Sequence, residues 1–241
     1  MLLELMNQHT GNIDQHELDK FTSLADEWWD PRGKLRTLHH INPARLRYID
    51  QRVGLQGKQV LDLGCGGGVL CEAMARAGAA VTGIDANQTA VTTAISHCRD
   101  QGLKIKYCAR TAEDFAGDHH QAFDAVTCME LLEHVPDVPS LIAACALMLR
   151  PGGDLVLSTI NRNARSYAAV VLAAEYLLGL LPRGTHDYSR FIRPSELAAW
   201  LRSAGFALVD IAGMTYVPGL STGVINKQPA VNYLAHAVLN T

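Results

Sequence analysis

At 241 residues the chain is long enough to bury a sizeable core and still fits a single α/β domain. Its 48% hydrophobic and 19% charged residues exclude a disordered chain and a fibrous repeat. A net charge of -3 excludes a protein built mainly to neutralise phosphates, so nucleic acid is not expected as a partner.

Residues 1–54 read as a helical lid. Residues 17–29 have helical patterning that Pro31 and Gly33 break, and Asn42-Pro43 offers an N-cap and a first-turn proline for a second helix. The amino terminus lacks a basic region followed by an apolar core and a small-residue cleavage site, so the reading places the protein in the cytoplasm. From residue 55 to 162, short apolar runs alternate with amphipathic stretches. Residues 59–63, 80–84, 105–108, 125–129 and 154–160 are predicted to be buried strands with helices between them. Right-handed crossovers then give a doubly wound, mostly parallel sheet with helices on both faces. Residues 163–193 form an insertion longer than such a core needs. Residues 194–204 are predicted as a helix, and 206–211 and 231–238 as strands whose direction is not readable; 213–228 follow no recognisable pattern. Cys65, Cys71, Cys98, Cys108, Cys128 and Cys145 show no metal-site spacing and read as thiols in a reducing compartment.

In Val60-Leu61-Asp62-Leu63-Gly64-Cys65-Gly66-Gly67-Gly68 an apolar strand runs directly into glycines. Glycine permits positive φ and lets a ligand approach the backbone. A dinucleotide fingerprint would need a third glycine at Val69 or Cys71, and both positions fail. The G-x-G-x-G spacing after Asp62 instead resembles the first motif of the class I methyltransferases, which bind S-adenosyl-L-methionine. Asp85 ends the second strand 21 positions after Gly64, close to the roughly 20 expected of a ribose-binding acid. A helix cap or turn acid is the other reading of that residue. Glu113 and Asp114 resemble the acidic segment that faces adenine in this superfamily.

The fourth strand delivers Met129, Glu130, Glu133 and His134 to the carboxyl edge of the sheet, where open α/β folds place their ligands. On a helical turn the last three share one face and converge on one pocket. They are candidates for a general base, for an oxygen-rich Mg²⁺ site that would stabilise a developing oxyanion, or for loop scaffolding.

Over nearly its whole length the chain resembles the ubiquinone-biosynthesis O-methyltransferases. The resemblance rests on Glu27-Trp28-Trp29-Asp30, His40-Ile41-Asn42-Pro43-Ala44-Arg45-Leu46, the glycine loop, residues 129–135, Asn161-Arg162-Asn163, residues 183–187 and Val231-Asn232-Tyr233. It implies a Rossmann-like class I methyltransferase that methylates a hydroxyl of polyprenylated catechols, 2-polyprenyl-6-hydroxyphenol and 3-demethylubiquinol. It also implies a cofactor site of Arg45, Asp62, Gly64, Gly66, Asp85 and Met129, with Arg45 near the methionine carboxylate. Other ubiquinone-pathway enzymes are implied partners. Methylation of another small acceptor, and a noncatalytic cofactor-binding or assembly role, are the competing readings.

Residues 167–181 are almost wholly apolar, interrupted by Glu175 and bracketed by Arg162, Arg165, Arg183, Arg190 and Arg193. The stretch is too short to span a bilayer but suits peripheral contact with the inner membrane surface, or packing over the active site. His186 and Asp187 are read as substrate-site residues or as a turn.

Overall fold

The computed structural model describes residues 11–168 and 187–241. Residues 1–10, most of the apolar stretch 167–181, Arg183 and His186 lie outside the described residues. Two helices precede the sheet, α1 (Gln15–Thr22) and α2 (Arg36–Val53). There follow β1 (Gln59–Leu63), α3 (Val69–Arg76), β2 (Ala80–Asp85), α4 (Gln88–Asp100), β3 (Lys106–Ala109), α5 (Ala112–Ala116) and β4 (Phe123–Met129). The chain continues through α6 (Val138–Met148), β5 (Leu149–Ile160), a single turn α7 (Ala164–Ser166), α8 (Pro194–Ser203), β6 (Phe206–Val217), β7 (Thr222–Asn226) and β8 (Asn232–Leu239).

The eight strands form one sheet in the order β3-β2-β1-β4-β5-β8-β6-β7. The first five pair in parallel, as the helices between them require, while β8 pairs antiparallel with both β5 and β6. Because successive strand residues point to opposite faces, Leu61, Leu63, Val126, Leu155 and Leu157 pack on one side with Ile142 and Cys145 of α6 and Leu197 and Leu201 of α8. Val60, Ala125 and Val156 pack on the other with Tyr48, Ile49 and Val53 of α2 and Cys71 and Met74 of α3. The strand order reverses between β1 and β4, and a crevice opens there at the carboxyl ends of the strands.

The structure revises the second helix and fills in two readings that the sequence left open. The second helix begins at Arg36, so Asn42 is not its N-cap and Pro43 lies inside it. The helix forgoes the hydrogen bond that a proline nitrogen cannot donate, and the burial of Ile41, Ala44, Tyr48, Ile49 and Val53 along one face offsets that loss. Residues 213–228 are ordered: the end of β6 and β7 form an antiparallel pair from Gly213↔Asn226 to Val217↔Thr222. Its glycines and half-buried polar positions carry no apolar run to read. Asp187 caps a turn by accepting from the Ser189 N–H at 2.9 Å, which favours the turn reading of that residue. All six cysteines are free thiols, five of them buried. No helix among the described residues is long and apolar enough to cross a membrane.

Candidate active site

The crevice is a cavity of about 530 Å³ whose wall includes Asp62 and Gly64 after β1, Asp85 after β2, Met129 and Glu130 after β4, and Arg45 from α2. Gly64, Gly66 and Gly68 have φ of +67°, +50° and +87°, the left-handed region that glycine enters without steric cost. The loop is tied to the second strand: the Gly66 N–H donates to Asp85 Oδ2 and the Asn87 N–H to Asp85 Oδ1, both at 2.8 Å. Burial raises the Asp85 pKa, against the pull of those two donors. Asp62 is 3% exposed and accepts from Thr127 Oγ1 at 2.6 Å and from Cys71 Sγ at 3.1 Å. Burial pushes its pKa up to about 6.

Arg45 is 5% exposed and its guanidinium meets the Glu130 carboxylate. Nη2 is the nitrogen that meets Glu130 Oε1, and among the described residues the buried Nε has no hydrogen-bond partner. The Asn42 Oδ1, one helical turn earlier, is likewise buried without a donor among the described residues, while its Nδ2 donates to the Val69 carbonyl at 3.2 Å. A guanidinium with a spare N–H and an unmatched amide oxygen, one helical turn apart, fit the carboxylate and ammonium of an amino-acid moiety.

The reacting end does not assemble as the spacing predicts. Glu130 has a positive φ of +52°, and its N–H donates to the Ser158 carbonyl at 3.1 Å, so the chain leaves β4 in a kink. The turn that follows covers only Leu132–His134 and is of the tight 3₁₀ type. Glu130 is therefore turned to Arg45, and Glu133 is buried, accepting from Thr159 Oγ1 at 2.7 Å. His134 places Nδ1 2.6 Å from Glu17 Oε2 on α1 and sets its ring edge-on to Phe21. His134 and Glu130 line the cavity; Glu133 does not. Among the described residues no three His, Cys, Asp or Glu side chains form a group that could hold a metal ion, so the convergent triple expected from the sequence is not formed.

A methyltransferase-domain family model matches residues 35–211. A ubiquinone biosynthesis O-methyltransferase from Saccharophagus degradans is 51% identical over 227 residues, covering 94% of this chain and 96% of its own. One from Aromatoleum aromaticum is 53% identical over 226 residues, covering 94% and 97%. The chain belongs to the ubiquinone biosynthesis O-methyltransferase family. Among solved structures, the magnesium protoporphyrin IX methyltransferase of Synechocystis PCC 6803 with bound SAH aligns at a TM-score of 0.64 and 20% identity over 94% of this chain and 99% of that one. A SAM-dependent methyltransferase from Thermotoga maritima aligns at 0.65 and 14% identity over 93% and 99%. At these identities the structural neighbours speak to the fold, which is the Rossmann-like class I S-adenosylmethionine methyltransferase fold expected above.

For this O-methyltransferase, then, the cavity gathers Arg45, Asp62, Gly64, Asp85, Met129, Glu130 and His134, and also Glu113 of the acidic segment. Gly66 is set back beneath Trp28, where an added Cβ would lie 2.3 Å from the indole. The lid meets the loop through side chains that include the tryptophan pair of the Glu27-Trp28-Trp29-Asp30 segment. Trp29 Nε1 donates to the Gly67 carbonyl at 2.9 Å, its ring stacks on His97 at 3.5 Å, and Asn87 Nδ2 donates to Thr22 Oγ1 at 2.8 Å. Glu17 is the chief residue missed. Burial drives its carboxyl up, but hydrogen bonds from His134 and Lys20 prevail and hold its pKa at about 2.

Proposed function

We propose that this chain transfers the methyl group of S-adenosyl-L-methionine to a ring hydroxyl of polyprenylated catechols, 2-polyprenyl-6-hydroxyphenol and 3-demethylubiquinol, in ubiquinone biosynthesis. The observation that carries the reading is Arg45, a buried guanidinium at the wall of the cavity that the glycine loop opens, whose Nε has no hydrogen-bond partner among the described residues. When bound, S-adenosylmethionine supplies a methyl group on a positively charged sulfur, open to in-line attack by an oxygen.

The residues present fit that ligand. Arg45 holds its carboxylate and the Asn42 Oδ1 its ammonium. The Asp85 oxygens each keep a lone pair for a ribose hydroxyl beyond the backbone donor they already accept from. Met129 walls the adenosyl side, with Gly64 granting close backbone approach. The remaining task is the proton of the acceptor hydroxyl, and it falls to His134. Its ring lines the cavity, and Glu17 on the lid helix holds it in place through Nδ1.

Incubation with S-adenosylmethionine and a short-chain prenylated catechol, read by mass spectrometry for one added methyl group, tests the reading; absence of methylated catechol sinks it. The rival means of activating the hydroxyl is a Mg²⁺ held by Glu130, Glu133 and His134. It needs three side chains at one point, and these diverge onto Arg45, Thr159 and Glu17. The same assay in EDTA keeps its rate under our reading and loses it under the rival.

A polyprenyl tail also gives residues 163–193 a part to play, as a peripheral contact with the inner membrane surface. Liposome flotation with and without residues 165–187 tests this, and equal flotation of the two forms counts against it. Two of the bracketing arginines meet carboxylates within the protein, Arg162 with Glu196 and Arg190 with Asp14, which leaves less cationic charge for lipid than the sequence promised.

A further inference from the structure

The cofactor half of the cavity lies over β2, β1 and β4; its far end lies over β5, β8 and β6. There the register aligns Ile160 of β5, Asn232 of β8 and Met214 of β6 side by side. All three line the cavity, with Val231 and Ile41 beside them and Thr215 and Tyr216 following Met214, so this end is a mainly apolar wall in which Asn232 supplies the amide. The Asn232 Oδ1 is buried and accepts no hydrogen bond from the described residues. A buried acceptor left unmatched costs stability, so a fold keeps one where a ligand matches it.

The approach to Asn232 is pinned from two sides. Asn161 Nδ2 donates to the Pro229 carbonyl at 2.6 Å and Asn163 Nδ2 to the Ala230 carbonyl at 2.8 Å. The Asn161 N–H donates to the Val231 carbonyl at 2.7 Å. The Asn161-Arg162-Asn163 segment thereby fixes the backbone leading into β8, and a fixed backbone holds the amide ready before the acceptor arrives.

We propose that Asn232 is a specificity-determining residue that accepts a hydrogen bond from the second, non-reacting hydroxyl of the acceptor ring. The inference rests on the catechol reading above and deepens it. An apolar wall takes the face of an aromatic ring without regard to its substituents, whereas an unmatched amide oxygen favours a ring bearing a hydroxyl at that place. Asn232 therefore separates a catechol from a phenol, and it does so at binding, apart from the proton transfer at His134.

The test is equilibrium titration of the protein saturated with S-adenosylhomocysteine, using a short-chain prenylated catechol and the matching phenol that lacks the second hydroxyl. Wild-type protein is expected to bind the catechol at least about tenfold more tightly than the phenol. Asn232→Leu should bring the two within about twofold by weakening the catechol alone, with S-adenosylhomocysteine affinity unchanged. A preference that survives Asn232→Leu, an equal loss for both ligands, or no preference in the wild type overturns the assignment. Should Asn232→Leu fail to bind S-adenosylhomocysteine, Asn232→Ala, which adds no bulk, is read by the same ratio. A wild-type protein that yields no methylated catechol defeats the underlying reading, a result distinct from an enzyme that methylates catechols and ignores the second hydroxyl.

Discussion

Arg45 concentrates the cofactor argument in one side chain. Its guanidinium is buried with Nη2 on Glu130, yet Nε has no partner among the described residues, so part of its donor fork is left open. Arg45→Met keeps much of the bulk and removes the fork; it is expected to weaken S-adenosylmethionine binding by about 10- to 100-fold in calorimetric titration. An unchanged affinity would place the carboxylate elsewhere. Asp62 yields a pH-dependent counterpart. Burial lifts its pKa from 3.8 to about 6, so the folded chain binds that proton more tightly than the unfolded chain does. The contribution to stability is fully present below about pH 3.8 and is lost as pH rises through about 6. Asp62→Asn, which can still accept from Thr127, should flatten this part of the curve of Tm against pH. A variant curve parallel to that of the wild type between those values would show that Asp62 is not its source.

At the scale of elements, the lid helix α1 and the tight turn after β4 are joined through Glu17 and His134, 117 positions apart in the chain. No window of sequence reveals such a pair. The parallel strands were legible because each is a buried apolar run beside a breaker, and Gly64 and Asp85 because a fixed spacing links them. Glu130, Glu133 and His134 diverge because three residues within one turn converge only if that turn is α-helical, whereas Glu130 has a positive φ and the turn after it is 3₁₀. Arg45 was legible through resemblance alone, since a helical arginine by itself reads as a solvated charge. The Glu17 pair also makes the lid sensitive to acid. Its carboxyl pKa is depressed from 4.5 to about 2, so its contribution to docking is present above pH 4.5 and is lost as pH falls towards 2. Tryptophan fluorescence from Trp28 and Trp29 should therefore change on acidification before far-ultraviolet circular dichroism does. Glu17→Gln should show the loosened signal at neutral pH and lose that acid transition. Coincident transitions by both probes in both proteins would mean that the lid does not respond separately.

For the whole molecule, the reversal of strand order places the cofactor loop in the crevice, and the lid then covers the loop. Trp28 lies so close over Gly66 and Gly67 that a Cβ would meet its ring at 2.3 and 2.5 Å. Lid closure and loop conformation are thus one packing arrangement, and a ligand that binds this arrangement must stabilise the entire fold by mass action, by about 2.7 kcal/mol at a concentration 100 times its Kd. Gly66→Ala attacks both halves at once, since it places a Cβ at φ +50° and drives it into the indole. It should abolish most of the rise in Tm that saturating S-adenosylhomocysteine gives the wild type. Adding Trp28→Ala removes the obstructing ring and leaves only the backbone strain. If lid and loop are coupled through that contact, the double variant recovers part of the ligand-induced rise and the two effects are non-additive. Strict additivity would instead assign the whole effect of Gly66→Ala to the loop and leave the lid a passive cover.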